Sequence, residues 1–383
     1  MKIGILTQPL LSNYGGLLQN YALQQTLIRA GHEVETLDHV NYGKFRSPLY
    51  EFLLPWILYA LGRQGYPKYQ LSTQEKTVIC SKTEGFILKY LKRTHILKSE
   101  KDFLKESKEG GYDAYVVGSD QCWRPCYNGR TIQDMFLSFV PVDSKVKRIA
   151  YAASFGTDEW EFTPLQTARF APLAQKFDLV TVREDSGIQL CKKYLGVEAT
   201  HVLDPTMLLA KEDYINLVEA EKEPKSTGSL FNYILDPDAA KSAFINKVAK
   251  EKGLATFQVL PKCQAETRTK EDVKNHIEDC VFPGVTTWLR AFMDAEMTIV
   301  DSFHGMVFSI IFNKPFWVIG NANRGMSRFT SLLKLFNLED RLLDISELDK
   351  VDYTLPIDWA RVNSLLEQKR TESKNLLLNI LKK

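Results

Sequence analysis

Short apolar segments alternate with longer amphipathic segments along most of the chain, and this alternation restricts the fold more than any other feature. MKIGIL at 1–6, DLVTVRE at 178–184 and PFWVIG at 315–320 are typical of buried strands. PLQTARFAPLAQKF at 164–177 is typical of a helix with one apolar face. Because strands and helices alternate, we predict parallel sheets with helices on both faces, which is the α/β fold class.

The alternation runs in two series, separated by a charged stretch. Residues 211–227 combine charged side chains with a Pro-Lys-Ser-Thr sequence that is typical of a break between domains. We therefore predict an N-terminal Rossmann-like domain at 1–215, a second Rossmann-like domain at 225–345 and a helical tail at 346–383. The two domains are expected to face each other across a cleft, with ligands at the carboxyl ends of the strands.

Charge and cysteine content argue against two classes of function. Lysine and arginine number 49 and aspartate and glutamate 47 in 383 residues, and this balance does not favour a nucleic-acid partner. Of six cysteines, only Cys122 and Cys126 are close in sequence, and no second pair completes a zinc site. HExxH and similar metal-binding spacings are absent from the sequence. We expect reduced thiols, no metal and a cytoplasmic protein.

One apolar run, FLLPWILYALG at 52–62, can contact a membrane but is too short to span one. It also contains Pro55, which interrupts a helix. Two interpretations stay open: a buried or lid segment of the fold, and a patch that rests on the inner face of a membrane. The second interpretation would make the protein a peripheral membrane protein.

The loop after the first strand contains two adjacent glycines and leads directly into a helix. Asn13, Tyr14, Gly15 and Gly16 form this junction. Paired glycines let a backbone approach a ligand closely, and a helix N-terminus favours an anion. The four residues are therefore candidates for ligand binding, with a plain turn as the alternative.

A carboxylate and an aromatic ring follow the strand at 112–118. Ser119, Asp120 and Trp123 together resemble a sugar site. Asp120 can accept a hydrogen bond from a hydroxyl group, and Trp123 can stack on a sugar ring. A capping aspartate and a core tryptophan are the alternative.

Arginines follow two further strands. Arg183 stands directly after one strand, and Arg324 and Arg328 stand near the start of a later helix. Arginine forms bidentate hydrogen bonds with carboxylate or phosphate groups, so all three are candidate anion ligands. The alternatives are an ion pair of Arg183 with Glu184 or Asp185, and a surface loop for the other two.

A histidine stands at the start of an almost wholly apolar helix, directly after the strand at 298–300. Asp301 or Ser302 can cap this helix, and Gly305 leaves space beside His304 because it has no side chain. A histidine at the positive end of a buried helix suits proton transfer in a site that binds an anion. We therefore predict a catalytic role for His304, with a structural histidine as the alternative.

Six segments, taken in order, resemble one known family, the polysaccharide pyruvyl transferases. The resemblance covers roughly residues 1–340. The segments that carry it are KIGILTQPLLSNYGGLLQNYALQQTL, YDAYVVGSDQCW, AYAASFG, TVREDSG, HVLDPTMLL and DSFHGMVFSIIFNKPF.

This resemblance implies a fold similar to the GT-B arrangement of two Rossmann-like domains. It also implies transfer of the enolpyruvyl unit of phosphoenolpyruvate to a sugar, which releases phosphate and leaves a cyclic pyruvate ketal across two hydroxyls. The acceptors of the family include lipid-linked precursors of capsule, exopolysaccharide and cell-wall polymers. Phosphoenolpyruvate is a co-substrate, and no cofactor is expected.

The resemblance also implies roles for single residues. His304 matches the histidine taken as the acid/base, and Arg183 matches the arginine that holds phosphoenolpyruvate. Some members have an arginine where this chain has Ser302, so one cationic contact to the donor is either missing or supplied from elsewhere, with Arg324, Arg328 and Lys314 as candidates. Asp120 is expected to act on the acceptor. The predicted donor residues are Arg183, Ser302, Gly305, Arg324 and Arg328. The predicted acceptor residues are Asn13, Tyr14, Gly15, Gly16, Ser119 and Trp123.

Two other functions fit the same predicted scaffold. The first is a glycosyltransferase that uses a nucleotide-sugar donor, although the second half of the sequence has no obvious pair of acids for a ribose. The second is a non-catalytic carbohydrate-binding or scaffold protein, against which the presence of both His304 and Arg183 argues.

Overall fold

Two parallel sheets, each covered by helices, form the framework of the protein. The computed structural model describes residues 1–42, 69, 71–263, 268–320 and 325–382. The apolar run at 52–62 and Arg324 lie outside the described residues. The predicted α/β class is confirmed, because every strand pairing in both sheets is parallel.

The first sheet has the strand order β2-β1-β3-β4-β5-β6. Its strands are β1 Lys2–Leu6, β2 Glu33–Thr36, β3 Ala114–Val117, β4 Lys147–Ala153, β5 Leu179–Val182 and β6 Thr200–His201. The helices of this half are α1 Tyr14–Arg29, α2 Thr73–Ile79, α3 Ser81–Tyr90, α4 Glu100–Glu109, α5 Pro125–Asn128, α6 Pro164–Ala174 and α7 Ser186–Leu190.

The second sheet has the order β11-β10-β9-β7-β8. Its strands are β7 Leu230–Tyr233, β8 Thr256–Phe257, β9 Met297–Val300, β10 Phe316–Ile319 and β11 Leu342–Leu343. The helices that follow β6 are α8 Lys211–Ala220, α9 Ala239–Lys252, α10 Lys270–Asn275, α11 Val285–Asp294, α12 Phe303–Ile311, α13 Ser327–Phe336 and α14 Trp359–Lys382.

Both sheets reverse their winding direction at an equivalent place. In the first sheet the chain builds β2 on one side of β1 and β3 on the other, and in the second sheet β8 and β9 flank β7 in the same way. Such a switch point leaves a crevice at the carboxyl ends of the two central strands, where open α/β folds bind ligands. The loops after β1, β3, β7 and β9 are therefore the segments that decide function.

An apolar core continues from one domain into the other. Helix α1 begins at Tyr14, and the side chain of its cap Asn13 accepts a hydrogen bond from Gly16 N. Its buried face packs on the second domain, where Tyr14 stacks on Trp288 with ring centroids 5.6 Å apart. The predicted cleft is thus largely filled by side chains.

The charged stretch between the two series is partly helical. Helix α8 occupies its first half and packs on the second domain, where the Tyr214 ring meets Phe308 edge to face at 4.9 Å. The passage from one sheet to the other lies between β6 and β7, around the predicted junction.

The C-terminal helix returns to the first domain after the second sheet is complete. Leu377 and Leu381 of α14 are buried against Ile3 and Ile5 of β1. Ser373 Oγ accepts a hydrogen bond of 3.1 Å from the backbone N of Leu203. The tail is therefore part of the core that joins the two domains. None of the helices in the described ranges is long and apolar enough to cross a membrane.

Replacing Leu377 with alanine tests this packing. The side chain is fully buried, so the variant Leu377→Ala should lose about 2–5 kcal/mol of unfolding free energy, measured by urea denaturation. The control is Leu376→Ala on the same helix, where the side chain is 37% exposed and the expected loss is below about 0.5 kcal/mol. Equal losses in the two variants would contradict the packing of the tail.

Candidate active site

A cavity of about 450 Å³ lies where the two switch points face each other. Its first-domain wall includes Asn13, Gly15, Asp120, Gln121 and Tyr127. Its second-domain wall includes Leu235, Ser302, Phe303, His304 and Arg328. These residues come from the loops after β1, β3, β7 and β9 and from the start of α13, so the cavity occupies the place that the topology indicates.

His304 enters the cavity from the first turn of α12. Ser302 caps this helix, because its Oγ accepts a hydrogen bond of 3.0 Å from Gly305 N. A side chain on Gly305 would stand 2.7 Å from that Oγ and 3.0 Å from Val300, so the glycine lets the helix lie close to β9. The cap and the glycine together fix the direction of the His304 ring.

A buried carboxylate stands behind the histidine. Asp204 follows β6, and its Oδ2 lies 3.5 Å from His304 Nε2, which is an ion-pair distance longer than a good hydrogen bond. Ser119 Oγ and Arg183 Nη1 each donate a hydrogen bond of 2.9 Å to the same oxygen. Thr206 N donates one of 3.0 Å to Oδ1.

These contacts keep Asp204 ionised. Burial alone would raise the pKa of its carboxyl group, but His304, Arg183 and Thr206 outweigh burial and hold the pKa well below its usual range. Asp204 had no predicted role, although it lies in the HVLDPTMLL segment. The sequence feature that could have indicated Asp204 is an aspartate shortly after a strand and directly before a proline.

Arg183 lies behind the cavity wall. Its guanidinium is buried against Asp204, stands 3.6 Å from Asp120 and from Glu184, and covers the Phe303 ring at 4.3 Å. Burial lowers the pKa of Arg183, but the three carboxylates together raise it by more. The pKa therefore lies above its usual value. The ion pair with Glu184, weighed as an alternative, is therefore present, and direct contact of Arg183 with a donor stays a prediction.

Asp120 joins the loops after β1 and β3. Its Oδ2 accepts a hydrogen bond of 3.3 Å from Asn13 Nδ2, and its Oδ1 accepts one of 2.9 Å from Gln121 N. Its backbone has φ 69°, a left-handed conformation that is uncommon outside glycine and recurs at functional sites. Asp120 also lines the cavity, as a residue that acts on a ligand must.

Arg328 brings a positive charge to the cavity from the first turn of α13. Burial and, to a smaller extent, the charge of Arg183 together lower the pKa of its guanidinium to about 10. The group stays protonated near neutral pH. A bound anion would offset both effects, so this part of the cavity favours a negatively charged ligand.

Two residues predicted to bind the acceptor have other roles in the structure. Trp123 is buried, donates a hydrogen bond from Nε1 to Met135 O and stacks on Phe136 at 5.0 Å, so it offers no open face to a sugar. Tyr14 is buried between the domains and donates a hydrogen bond to Pro283 O. The core alternative weighed for Trp123 describes its position, and Tyr14 stabilises the domain contact.

Three further residues predicted to bind the acceptor contact other protein groups in the structure. Ser119 is buried and binds Asp204, and Gly16 N binds the Asn13 cap. Gly15 lines the cavity, but the group that approaches it closely is a side chain of the protein and not a ligand. A Cβ at Gly15 would stand 2.0 Å from Nδ1 of His304, so the bare backbone makes room for the histidine ring.

Asp301 was predicted as a possible helix cap, and it instead orders the loop after β7. Its carboxylate accepts hydrogen bonds from the backbone N of Leu235 at 2.7 Å and of Asp236 at 3.1 Å. The buried Lys241 Nζ donates a third at 2.9 Å. Asp301 and Lys241 thus fix the edge of the cavity that β7 contributes. Within the described parts of the chain, no group of three or more His, Cys, Asp or Glu side chains could hold a metal ion.

The family model for polysaccharide pyruvyl transferase matches residues 13–323, which include all of the cavity residues named above except Arg328. The chain belongs to the polysaccharide pyruvyl transferase family. A search of curated protein sequences found no match.

Solved structures of two epimerases are similar to this pyruvyl transferase family member over nearly the whole chain. UDP-GlcNAc 2-epimerase from Neisseria meningitidis, bound to UDP-GlcNAc, aligns with a TM-score of 0.52 and 9% identity over 100% of this chain and 99% of that chain. The epimerase from Methanocaldococcus jannaschii has a TM-score of 0.49 and 13% identity, with the same coverage. At 9% identity the likeness to the Neisseria enzyme shows the fold alone, and it confirms the predicted GT-B-like arrangement.

The Gly15 contact gives a first prediction for the site. In the variant Gly15→Ala the new methyl group must displace the His304 ring, and the expected loss of unfolding free energy is about 1–3 kcal/mol by urea denaturation. Gly85→Ala is the control, because Gly85 lies in α3 with no atom within 4 Å of a Cβ. That change should be neutral or stabilising by up to about 1 kcal/mol. A neutral Gly15→Ala would show that the contact is absent.

The Asp204 carboxylate gives a second prediction. Asp204→Asn leaves the buried Arg183 charge without its closest partner, so we expect a loss of about 3–5 kcal/mol in unfolding free energy. The control is Glu198→Gln in the exposed pair with Lys192, where the loss should be below about 1 kcal/mol. The double variant Arg183→Met/Asp204→Asn should lose less than the sum of the single variants. Additive losses would contradict the coupling.

Proposed function

We propose that this protein transfers the enolpyruvyl unit of phosphoenolpyruvate to a sugar of a bacterial surface polysaccharide precursor. The products are a cyclic pyruvate ketal and phosphate. The observation that carries the proposal is the position of His304, which enters the interdomain cavity at a helix N-terminus with the ionised Asp204 behind it.

The second-domain wall suits a donor with two anionic groups. Helices α12 and α13 both begin at the cavity, and helix N-termini favour anions. Arg328 adds a cation that can bind a carboxylate or a phosphate in bidentate fashion. Arg328 is therefore the candidate for the contact that some family members make with the arginine replaced here by Ser302.

His304 is proposed as the acid that protonates the methylene carbon of phosphoenolpyruvate. The neighbouring carbon becomes an oxocarbenium centre, which one sugar hydroxyl attacks with loss of its proton. Phosphate then leaves with the C–O bonding pair, and the second hydroxyl attacks the same carbon. Of the two protons that leave the hydroxyls, one replaces the proton that His304 gave to the new methyl group, and the other is carried by the released phosphate, so the reaction balances without a cofactor.

Asp204 and Asp120 have separate roles in this scheme. Asp204 holds the His304 ring and stabilises the imidazolium before proton transfer, as the carboxylate does in other acid–histidine pairs. Asp120 lies on the first-domain wall, where it can accept the proton of an attacking hydroxyl. Its charge also stabilises the cationic centre. A cavity of about 450 Å³ falls in the usual range for small-molecule sites.

Phosphate release from phosphoenolpyruvate tests the proposal directly. Wild type should release phosphate only with a suitable acceptor, taken from a panel of lipid-linked and free galactosides, glucosides and mannosides. His304→Ala should lower the rate at least about 10²-fold, because the general acid is lost. His95→Ala is the control, since His95 is an exposed histidine outside the cavity.

Two outcomes would overturn parts of the proposal. Near-normal turnover in His304→Ala would remove the proton-transfer role. Absence of release with every acceptor, together with thermal stabilisation by UDP or GDP and none by phosphoenolpyruvate, would favour a nucleotide-sugar donor. Activity restricted to lipid-linked acceptors would instead support the predicted association with the inner face of the membrane.

A further inference from the structure

The first-domain wall of the cavity has the chemistry of a sugar-binding surface, although Trp123 is not part of it. Four neutral carboxamide side chains line it, together with a carboxylate and an aromatic ring. Carboxamides and carboxylates bind hydroxyl groups, and an aromatic ring offers an apolar face. The six residues are Gln8, Asn13, Asn41, Gln121, Asp120 and Tyr127.

Tyr127 lines the cavity while 45% of its surface remains exposed. One face of its ring is covered by the Arg124 guanidinium, 5.2 Å from the ring centroid. Asn41 Nδ2 donates a hydrogen bond of 3.0 Å to the Tyr127 carbonyl, which fixes its backbone. The ring is thus covered on one face by Arg124, and the residue remains partly exposed where it lines the cavity.

The support of this ring is itself rigid. Arg124 binds Glu161 in bidentate fashion, with distances of 3.0 Å and 2.9 Å, and its Nη1 donates a hydrogen bond of 2.9 Å to Gln121 Oε1. Gln121 is the neighbour of Asp120 and lines the same cavity. A single network therefore connects the aromatic ring to the loop that carries the predicted acceptor carboxylate.

We propose that Tyr127 is the platform on which the ring of the acceptor sugar stacks. The ligand is a neutral pyranoside that lays its C–H face on the phenol ring and directs its hydroxyls toward the carboxamides and Asp120. This role, expected from the sequence for Trp123, rests on the proposed function. Tyr127 then determines which acceptor binds and leaves the binding of phosphoenolpyruvate to the second-domain wall.

Steady-state kinetics with phosphoenolpyruvate and the best acceptor of the panel test the platform. Tyr127→Ala should raise the KM for the acceptor roughly 10-fold, with the KM for phosphoenolpyruvate unchanged. Tyr127→Phe keeps the aromatic face and should stay within about 2-fold of wild type. Tyr127→Leu covers Arg124 without offering a flat ring, so it should behave like the alanine variant.

A control and a measurement of folding accompany these variants. Leu165→Ala removes an exposed apolar side chain of the same domain outside the cavity, and it should leave both KM values unchanged. Equal melting temperatures of the variants would show that the folds are intact. An unchanged acceptor KM in Tyr127→Ala, or a rise confined to the KM for phosphoenolpyruvate, would overturn the platform.

Saturation-transfer NMR without phosphoenolpyruvate separates this inference from the proposed function. The probes are methyl galactosides, glucosides and mannosides at millimolar concentration. The ring C–H signals of a bound glycoside should be strong with wild type and Tyr127→Phe and lost with Tyr127→Ala. That result supports the platform even if no phosphate is released. Signals that survive in Tyr127→Ala, or no signal from any glycoside with wild type, would overturn it even if phosphate is released.

Discussion

The buried carboxylate of Asp204 is the contact on which the rest of the site depends. It accepts hydrogen bonds from Ser119 after β3 and Arg183 after β5, and it faces His304 of the second domain. A buried carboxylate without these partners would be costly, and so would the buried guanidinium without the carboxylate. The same interaction therefore aligns three strand ends of the first sheet and directs a histidine of the second domain. The domain contact and the orientation of the histidine therefore depend on the same carboxylate.

Strand-end reasoning predicted the place where the interdomain cavity lies, because that place depends on topology more than on single side chains. Alternating segments predicted two parallel sheets, and the carboxyl ends of their central strands meet at the cavity that holds Asp120, His304 and Arg328. The orientation of each side chain was harder to predict. Trp123 follows the same strand as Asp120, yet it turns into the core, because residues a few positions apart in a tight turn face different directions. Sequence spacing alone does not decide between the cavity and the core for such neighbours.

Gly15 illustrates a second limit of local patterns. A glycine at a helix start indicates that something approaches the backbone closely, and a ligand was the natural interpretation. The group that approaches is the ring of His304, which comes from the other domain. Asp204 was missed for a related reason. Its segment contains no motif for catalysis, and its importance arises only when Arg183 and His304, distant in sequence, are brought to its two sides.

The position of Ser302 can either stabilise helix α12 through a cap or carry a positive charge at the cavity. Its Oγ caps helix α12 through Gly305 N, a contact typically worth about 0.5–2 kcal/mol, and an arginine at the same position would give up that cap. In this chain the cap is kept, and among the described residues Arg328 on the neighbouring helix brings a cation to the cavity. The pKa of Arg328, lowered by burial to about 10, still leaves the guanidinium charged at neutral pH. The positive charge that an anionic donor requires is therefore compatible with a well-capped helix, provided that α13 stays packed beside α12.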